Sequence, residues 1–217
     1  RATDTTRQPG STFKILAAYS AALDAGGLTL ASVQDDAPYT YAGANGKSVN
    51  NYDRRYRGFT TLREAITDSI NIVTVKTLAQ AGVSLGWQYV QEYGFTTVDS
   101  RDMNEALALG GITQGVSNLE LTAAYAAIAN QGTYIKPKFY TKILDHDGNV
   151  LIDNTTPESH TVIKDTTAWL LTSAMEDVMT SGTGTSAYFG SSMAQAGKSG
   201  TTTSSRDALF AGYTPYY

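Results

Sequence analysis

Ala196-Gly197-Lys198-Ser199-Gly200-Thr201-Thr202 (AGKSGTT) carries a Gly-Lys-Ser core that two unrelated folds use. One is the phosphate-cradling loop Gly-x4-Gly-Lys-Ser/Thr of a nucleotide-binding protein. The other is a Lys-Ser/Thr-Gly strand lining the site of a serine acyl-transferase. With Gly197 as the second glycine of a phosphate loop, the first falls at position 192, which is Ser192, and Gly190 stands two residues too early. A phosphate loop must also open a helix, whose free N–H groups help to hold the anion. TTTSSRDALFAGY follows instead, threonine-rich and then strand-like. The stretch is read as a β-strand, and the nucleotide-binding fold is set aside.

The 217 residues are 41% hydrophobic and 17% charged, the proportions of one folded domain with a sizeable core. A net charge of −4 argues against nucleic acid as a partner, because phosphate binding wants clustered Lys and Arg. No apolar run reaches the roughly 18 to 20 residues that span a membrane. The chain opens at Arg1 without a signal peptide, so a targeting or anchoring segment is expected upstream. Cysteine is absent, which excludes a thiol nucleophile, thiolate metal sites and disulfides, and fits work outside the cytoplasm. The two histidines, His146 and His160, lie in polar, loop-like stretches and are read as surface residues. A serine nucleophile here therefore needs a base other than histidine, and lysine is the usual substitute.

Along the chain, Pro9-Gly10 breaks the backbone, and Ser11 opens the alanine-rich helix STFKILAAYSAALDAGG, stopped by Gly26-Gly27. A Gly/Asn/Tyr-rich loop with short strands runs to Gly58. Helices are predicted over Thr61–Asp68 and Asn71–Gln80, with Ser69 at their junction, and amphipathic pieces over Leu85–Tyr93 and Asp102–Leu109. Ser117 and Glu120 have capping-box spacing ahead of LELTAAYAAIANQG. KFYTKILDHDGNVLID alternates about Asp147-Gly148 and predicts a hairpin. Asp165 is expected to cap TTAWLLTSAMEDVMT, and AGKSGTT and ALFAGYTPYY to form strands joined by SSRD. The sum is one α+β domain over 1–217, a helical subdomain packed on a small antiparallel β-sheet.

Three elements carry chemistry. Ser11 and Lys14 stand at i, i+3 at a helix start, so both project from one face, and the Ser11 N–H belongs to the unpaired first turn. With 17 serines and 8 lysines in 217 residues, chance supplies about 0.6 Ser-x-x-Lys pairs. A helix cap followed by a solvated lysine looks the same. Ser69-Ile70-Asn71 sits between two helices, where capping residues are ordinary. Lys198-Ser199-Gly200-Thr201 offers a lysine, hydroxyls and a glycine that admits close approach, although a solvent-facing strand would also fit.

Ser-x-x-Lys, Ser-Asp-Asn and Lys-Thr-Gly in this order are the motif series of penicillin-binding proteins and class A β-lactamases, and the three elements here follow that order. RQPGSTFK, YRGFTTLREAITDSIN, GGITQGVSNLELTAAYAAIANQGTYIKP and ALFAGYTP extend the likeness over nearly the whole chain. The sequence resembles the transpeptidase domain of a class A (bifunctional) penicillin-binding protein. The resemblance implies that Ser11 attacks the carbonyl between the terminal D-alanines of a peptidoglycan stem peptide, with Lys14 as base. It implies that Lys198 helps to depress the Lys14 pKa, and that Ser69 relays a proton to the departing D-alanine. Asn71 would bind the substrate backbone, and Ser199, Gly200 and Thr201 would line the carboxylate subsite with Lys198. The oxyanion hole would be the N–H groups of Ser11 and Thr201. An amine of a second stem peptide takes the acyl group, and β-lactam antibiotics mimic the donor. The resemblance implies no metal, no cofactor, and a place at the extracytoplasmic face of a bacterial membrane, anchored by a segment outside this chain.

Departures from the family pattern are small: Ser199 for threonine, Ile70 in the middle of the second motif, and Leu209 for a tryptophan. The family's domain has strands and a helix before the serine helix and a further strand and helix after FAGYTP. The domain is thus expected to be partial here, with activity low unless those parts are supplied. A D,D-carboxypeptidase differs only in using water as acceptor. A class A β-lactamase needs Glu-x-x-Leu-Asn, which none of Glu64, Glu92, Glu105, Glu120, Glu158 and Glu176 begins. A non-catalytic β-lactam-binding sensor is the alternative from another class.

Overall fold

The run from Phe13 to Ala22 is apolar on nearly every side, so no face of it can be left in water. In the computed structural model, which describes residues 2–42, 46–202 and 206–216, this run lies in the core. Phe13, Ile15, Leu16, Ala17, Ala18, Tyr19, Ala21 and Ala22 are all fully buried. Expected as one α-helix, the segment changes winding instead. It begins as a 3-10 turn, Gly10–Thr12, widens to π-winding over Ile15–Tyr19, and ends as α1, Ser20–Asp24. Ser20 accounts for the wide turn: its N–H and its Oγ both reach the Ile15 carbonyl, the Oγ at 2.9 Å. Turns of this kind are frequent at functional sites.

Helices α2 (Leu62–Thr67), α3 (Asn71–Ala81) and α4 (Val83–Glu92) follow the predicted periodicity, as do α5 (Asn118–Ala129) and α6 (Asp165–Thr180). Thr61 with Glu64, and Ser117 with Glu120, close capping boxes on α2 and α5. Two expectations are corrected. Lys164 is the N-cap of α6, so Asp165 is its first helical residue, where its charge still faces the helix N-terminus favourably. The piece over Asp102–Leu109 is two 3-10 turns, Ser100–Asp102 and Glu105–Leu109. There the carboxylate of Asp102 accepts the Thr113 N–H at 2.8 Å, and that of Glu105 accepts the Ala42 N–H at 2.9 Å. Such side-chain bonds to backbone compete with regular helix.

The strands form six antiparallel pairs among the described residues, so the expected small sheet is divided into ribbons. β1 (Thr6–Arg7) pairs with β6 (Val116–Ser117), β2 (Val33–Asp36) with β5 (Gly58–Thr61), and β3 (Tyr39–Thr40) with β4 (Ser48–Val49). β7 (Thr133–Ile135) pairs with β10 (Ser159–Thr161), and β8 (Lys142–Leu144) with β9 (Val150–Asp153) about the predicted hairpin turn. β11 (Ala196–Thr201) pairs with β12 (Ala208–Tyr213), so AGKSGTT is a strand. Ser204 and Ser205 of the expected SSRD turn lie outside the described residues.

α3 and α4 pack on the Ser11 segment, and α6 packs on α2, α5 and β11. No helix among the described residues is long and apolar enough to cross a membrane. α4 approaches the Ser11 segment through Gly86, where an added Cβ would overlap Leu78 Cδ1 and lie 2.6 Å from the Ala17 carbonyl oxygen. Backbone cannot give way as a side chain can, so Gly86→Ala is expected to cost about 1–3 kcal/mol, read as a lowered urea midpoint at unchanged m-value.

Candidate active site

The Ser11 turn is held from two sides. Thr12 Oγ1 donates to the Pro9 carbonyl at 2.7 Å, and the hydroxyl of Tyr125, on α5, donates to the Thr12 carbonyl at 2.7 Å. Gly10 has a φ of +55°, a conformation glycine adopts without strain. β11 lies against this turn backbone to backbone. A Cβ on Gly10 would stand 3.0 Å from the Thr201 oxygen and 3.3 Å from its nitrogen, and one on Gly200 would stand 2.7 Å from the Pro9 oxygen. The two glycines thus bring the Thr201 backbone beside Ser11, which sits where first-turn N–H groups lack an intrahelical acceptor.

Behind the turn lie two fully buried amines, Lys14 and Lys198. Lys14 Nζ donates to the Ser69 carbonyl at 2.6 Å, to Asn71 Oδ1 at 2.6 Å and toward Ser69 Oγ at 3.2 Å. Lys198 Nζ donates to Ser69 Oγ at 2.9 Å and to the Ser199 carbonyl at 3.1 Å. No carboxylate pairs with either amine among the described residues. Burial without a counter-ion disfavours the ammonium form. The pKa of Lys14 is pushed well below that of an ordinary lysine by burial, and further by the Lys198 charge. Burial brings that of Lys198 down to about 7. Among the described residues the bonds of Lys14 go to Ser69 and Asn71 rather than to Ser11.

Ser69 joins α2 to α3 with a φ of +55°, left-handed backbone that a residue with a Cβ enters at a cost of about 1–2 kcal/mol. Its surroundings hold it there. The carbonyl accepts from Lys14, the hydroxyl meets both lysines, and the N–H donates to the Ile66 carbonyl at 3.3 Å. Strain kept in this way is a mark of functional sites. Asn71, the first residue of α3, is engaged at both ends of its amide: Oδ1 accepts from Lys14, and Nδ2 donates to the Asn50 carbonyl at 2.7 Å. One N–H and one lone pair remain for a ligand.

The structure brings Ser11, Lys14, Ser69, Asn71, Lys198, Ser199, Gly200 and Thr201 together from three segments. Ser11, Ser69, Asn71, Ser199 and Thr201 retain access to solvent, while the two lysines do not. Neither histidine takes part: His146 is exposed, and His160 lies 2.8 Å from the Glu92 carbonyl oxygen. Sequence reasoning missed Thr183, whose hydroxyl lies 2.7 Å from Ser199 Oγ, and Asn51, whose side chain contacts the start of α3. Both sit in loops, and no local spacing ties them to the motifs they touch.

The buried amines fix a pH dependence. Lys198 has a depressed folded-state pKa, so between about 7 and the ordinary lysine value of 10.5 the unfolded chain binds a proton that the folded chain does not. Stability therefore rises with pH across that window and is lost as pH falls through it. Chemical denaturation from pH 7 to about 9.5 is expected to show this rise, and Lys198→Met to reduce its slope, Lys14 keeping its own share.

A match to the penicillin binding protein transpeptidase domain family spans residues 1–216. Penicillin-binding protein 1F of Bacillus subtilis is 39% identical over 215 residues, which cover 96% of this chain and 29% of that protein. Penicillin-binding protein 1A of Clostridium acetobutylicum is 36% identical, over 97% of this chain and 27% of its own length. The chain thus spans under a third of these curated relatives. Among solved structures, penicillin-binding protein 1A from Haemophilus influenzae aligns with a TM-score of 0.84 at 28% identity, over 98% of this chain and 37% of that one. With two buried lysines converging on Ser69 and a family match along almost all its length, the chain belongs to the penicillin-binding protein transpeptidase domain family.

Proposed function

We propose that this domain is a peptidoglycan D,D-transpeptidase that works through an acyl-enzyme on Ser11, and that β-lactams acylate the same hydroxyl. The observation that carries the reading is the hydroxyl of Ser69, held between two buried amines at 3.2 and 2.9 Å. When neutral, Lys14 uses its two N–H groups on the Ser69 and Asn71 carbonyl oxygens, leaving its lone pair as a base. It takes the Ser11 proton as Oγ attacks the penultimate D-alanine carbonyl, and the oxyanion lies at the N–H groups of Ser11 and Thr201. Collapse breaks the peptide C–N bond. Ser69 gives its proton to the departing D-alanine amine and is reprotonated from Lys14, which returns to its neutral form.

Asn71 offers its free N–H to the donor peptide, and Lys198, Ser199, Gly200 and Thr201 form the subsite for its terminal carboxylate. In the second half-reaction the acceptor amine attacks the ester carbonyl, its proton passes to Lys14, and Ser11 leaves as the hydroxyl. The partners are thus a D-Ala-D-Ala donor and an amine acceptor at the extracytoplasmic face of a membrane to which a segment outside this chain holds the protein. These roles belong to the whole protein, of which this chain is under a third in the relatives it matches.

Intact mass after incubation with a penicillin tests the reading. A β-lactam opens without losing atoms, so the wild-type chain is expected to gain the mass of the whole drug at Ser11 and hold it for many minutes. Ser11→Ala is expected to gain none, and Lys14→Ala to acylate about 10²- to 10⁴-fold more slowly. An adduct that survives in Ser11→Ala, or no adduct on the intact full domain, overturns the proposal. Rapid loss of the adduct turns it toward a β-lactamase.

A further inference from the structure

Helix α3 begins at Asn71, but its N-cap residue is Ile70, which has no side-chain acceptor to offer. The missing acceptor comes from twenty residues earlier in the chain. Asn51 Oδ1 accepts both the Asn71 N–H, at 3.0 Å, and the Ile72 N–H, at 3.2 Å. Asn51 is 2% exposed, and the other end of its amide is fully committed. Nδ2 donates to the two oxygens of Asp36 at 2.8 and 3.0 Å and to the Arg55 carbonyl at 2.8 Å. Asp36 is itself fully buried, accepts the Arg57 N–H at 2.9 Å, and has the Arg57 guanidinium 3.8 Å away. With a carboxylate and a carbonyl on one side, the Asn51 amide has only one orientation: Nδ2 toward Asp36 and Oδ1 toward α3. The neighbouring Asn50 carbonyl then takes the Asn71 side chain at 2.7 Å, which leaves Asn71 Oδ1 facing Lys14 at 2.6 Å.

We propose that Asn51 and Asp36 are positioning residues for acyl transfer, acting through Asn71 on the Lys14–Ser69 pair. Neither touches the proposed reacting atoms. Asp36 orients the Asn51 amide, and the Asn50-Asn51 dipeptide fixes both the backbone and the side chain of Asn71. That constraint aims one end of the Asn71 amide at the base and leaves an N–H for the substrate. It also holds the N-terminus of α3, and with it the strained link at Ser69, beneath the two lysines. The inference rests on the transpeptidase reading above and adds to it the residues that set the geometry of the second motif.

An ordinary helix cap affects stability alone, so the test needs a readout that capping does not move. The rate constant of acylation at saturating penicillin, measured on folded protein by intact mass, is such a readout. Asn51→Ala is expected to lower it about 10- to 100-fold, because small displacements of positioned groups are costly to rate. Asn51→Asp sets two carboxylates against each other and is expected to be slower still. The exchanged pair Asp36→Asn with Asn51→Asp restores a donor opposite an acceptor and keeps an acceptor for the α3 N–H groups. It leaves the Arg55 carbonyl without its donor and is expected to recover part of the rate, well above Asn51→Asp alone.

Wild-type acylation rates in folded Asn51→Ala overturn the proposal, as does an exchanged pair no faster than Asn51→Asp alone. If Asn51→Ala does not fold, near-isosteric Asp36→Asn carries the same comparison, and an unchanged rate there is equally fatal. An intact wild-type domain that takes no adduct at all defeats the parent reading, and this inference with it, and is told apart by that result alone.

Discussion

Two amines are buried in this fold with no carboxylate among the described residues to neutralise them, and both reach the hydroxyl of Ser69. A buried ammonium is expensive, and two sharing one oxygen are more so, hence burial and mutual repulsion both favour the neutral form. A neutral amine has a lone pair, which is what a base must have near pH 7. The surroundings of Lys14 suit that state, with two carbonyl oxygens for its two N–H groups and a hydroxyl at the third position. The core that hides these lysines therefore sets their protonation as well as the fold's stability.

Much of the remaining architecture keeps that arrangement in place. Gly10 and Gly200 let β11 and the Ser11 turn approach at backbone distance, which carries Lys198 to the lysine at the start of the buried segment. Tyr125 reaches from α5 to hold the same turn from behind. Ser69 stays in a left-handed conformation because three hydrogen-bonding groups of the one residue are all engaged. Asn51 and Asp36 do for α3 what its own N-cap residue cannot.

Elements whose signals are local were legible in the sequence. Thr61 with Glu64 and Ser117 with Glu120 marked two helix starts, because a capping box is complete within four residues. The Asp147-Gly148 hairpin and the strand character of AGKSGTT were legible for the same reason. The winding of the Ser11 segment was not, since it depends on Ser20 reaching back to Ile15 and on Tyr93 meeting that hydroxyl from the C-cap of α4. Nor were the 3-10 turns around Asp102 and Glu105, whose carboxylates are claimed by Thr113, Tyr39 and Ala42 from other parts of the chain.

The sequence by itself determined which groups are candidates for chemistry: a serine and lysine on one turn, a serine and asparagine between helices, and a lysine strand that lacks the phosphate-loop pattern. Residue type and short spacing suffice for that, because they set which side chains can share a turn or a strand. Only the tertiary structure decided the state of those groups. Lys14 turned out to face Ser69 and Asn71, Lys198 to join it at the same hydroxyl, and Asn51 to supply a cap from a distant loop. Burial, charge proximity and long-range hydrogen bonds are properties of the packed chain, and they lower the pKa of both lysines and bring them to one hydroxyl.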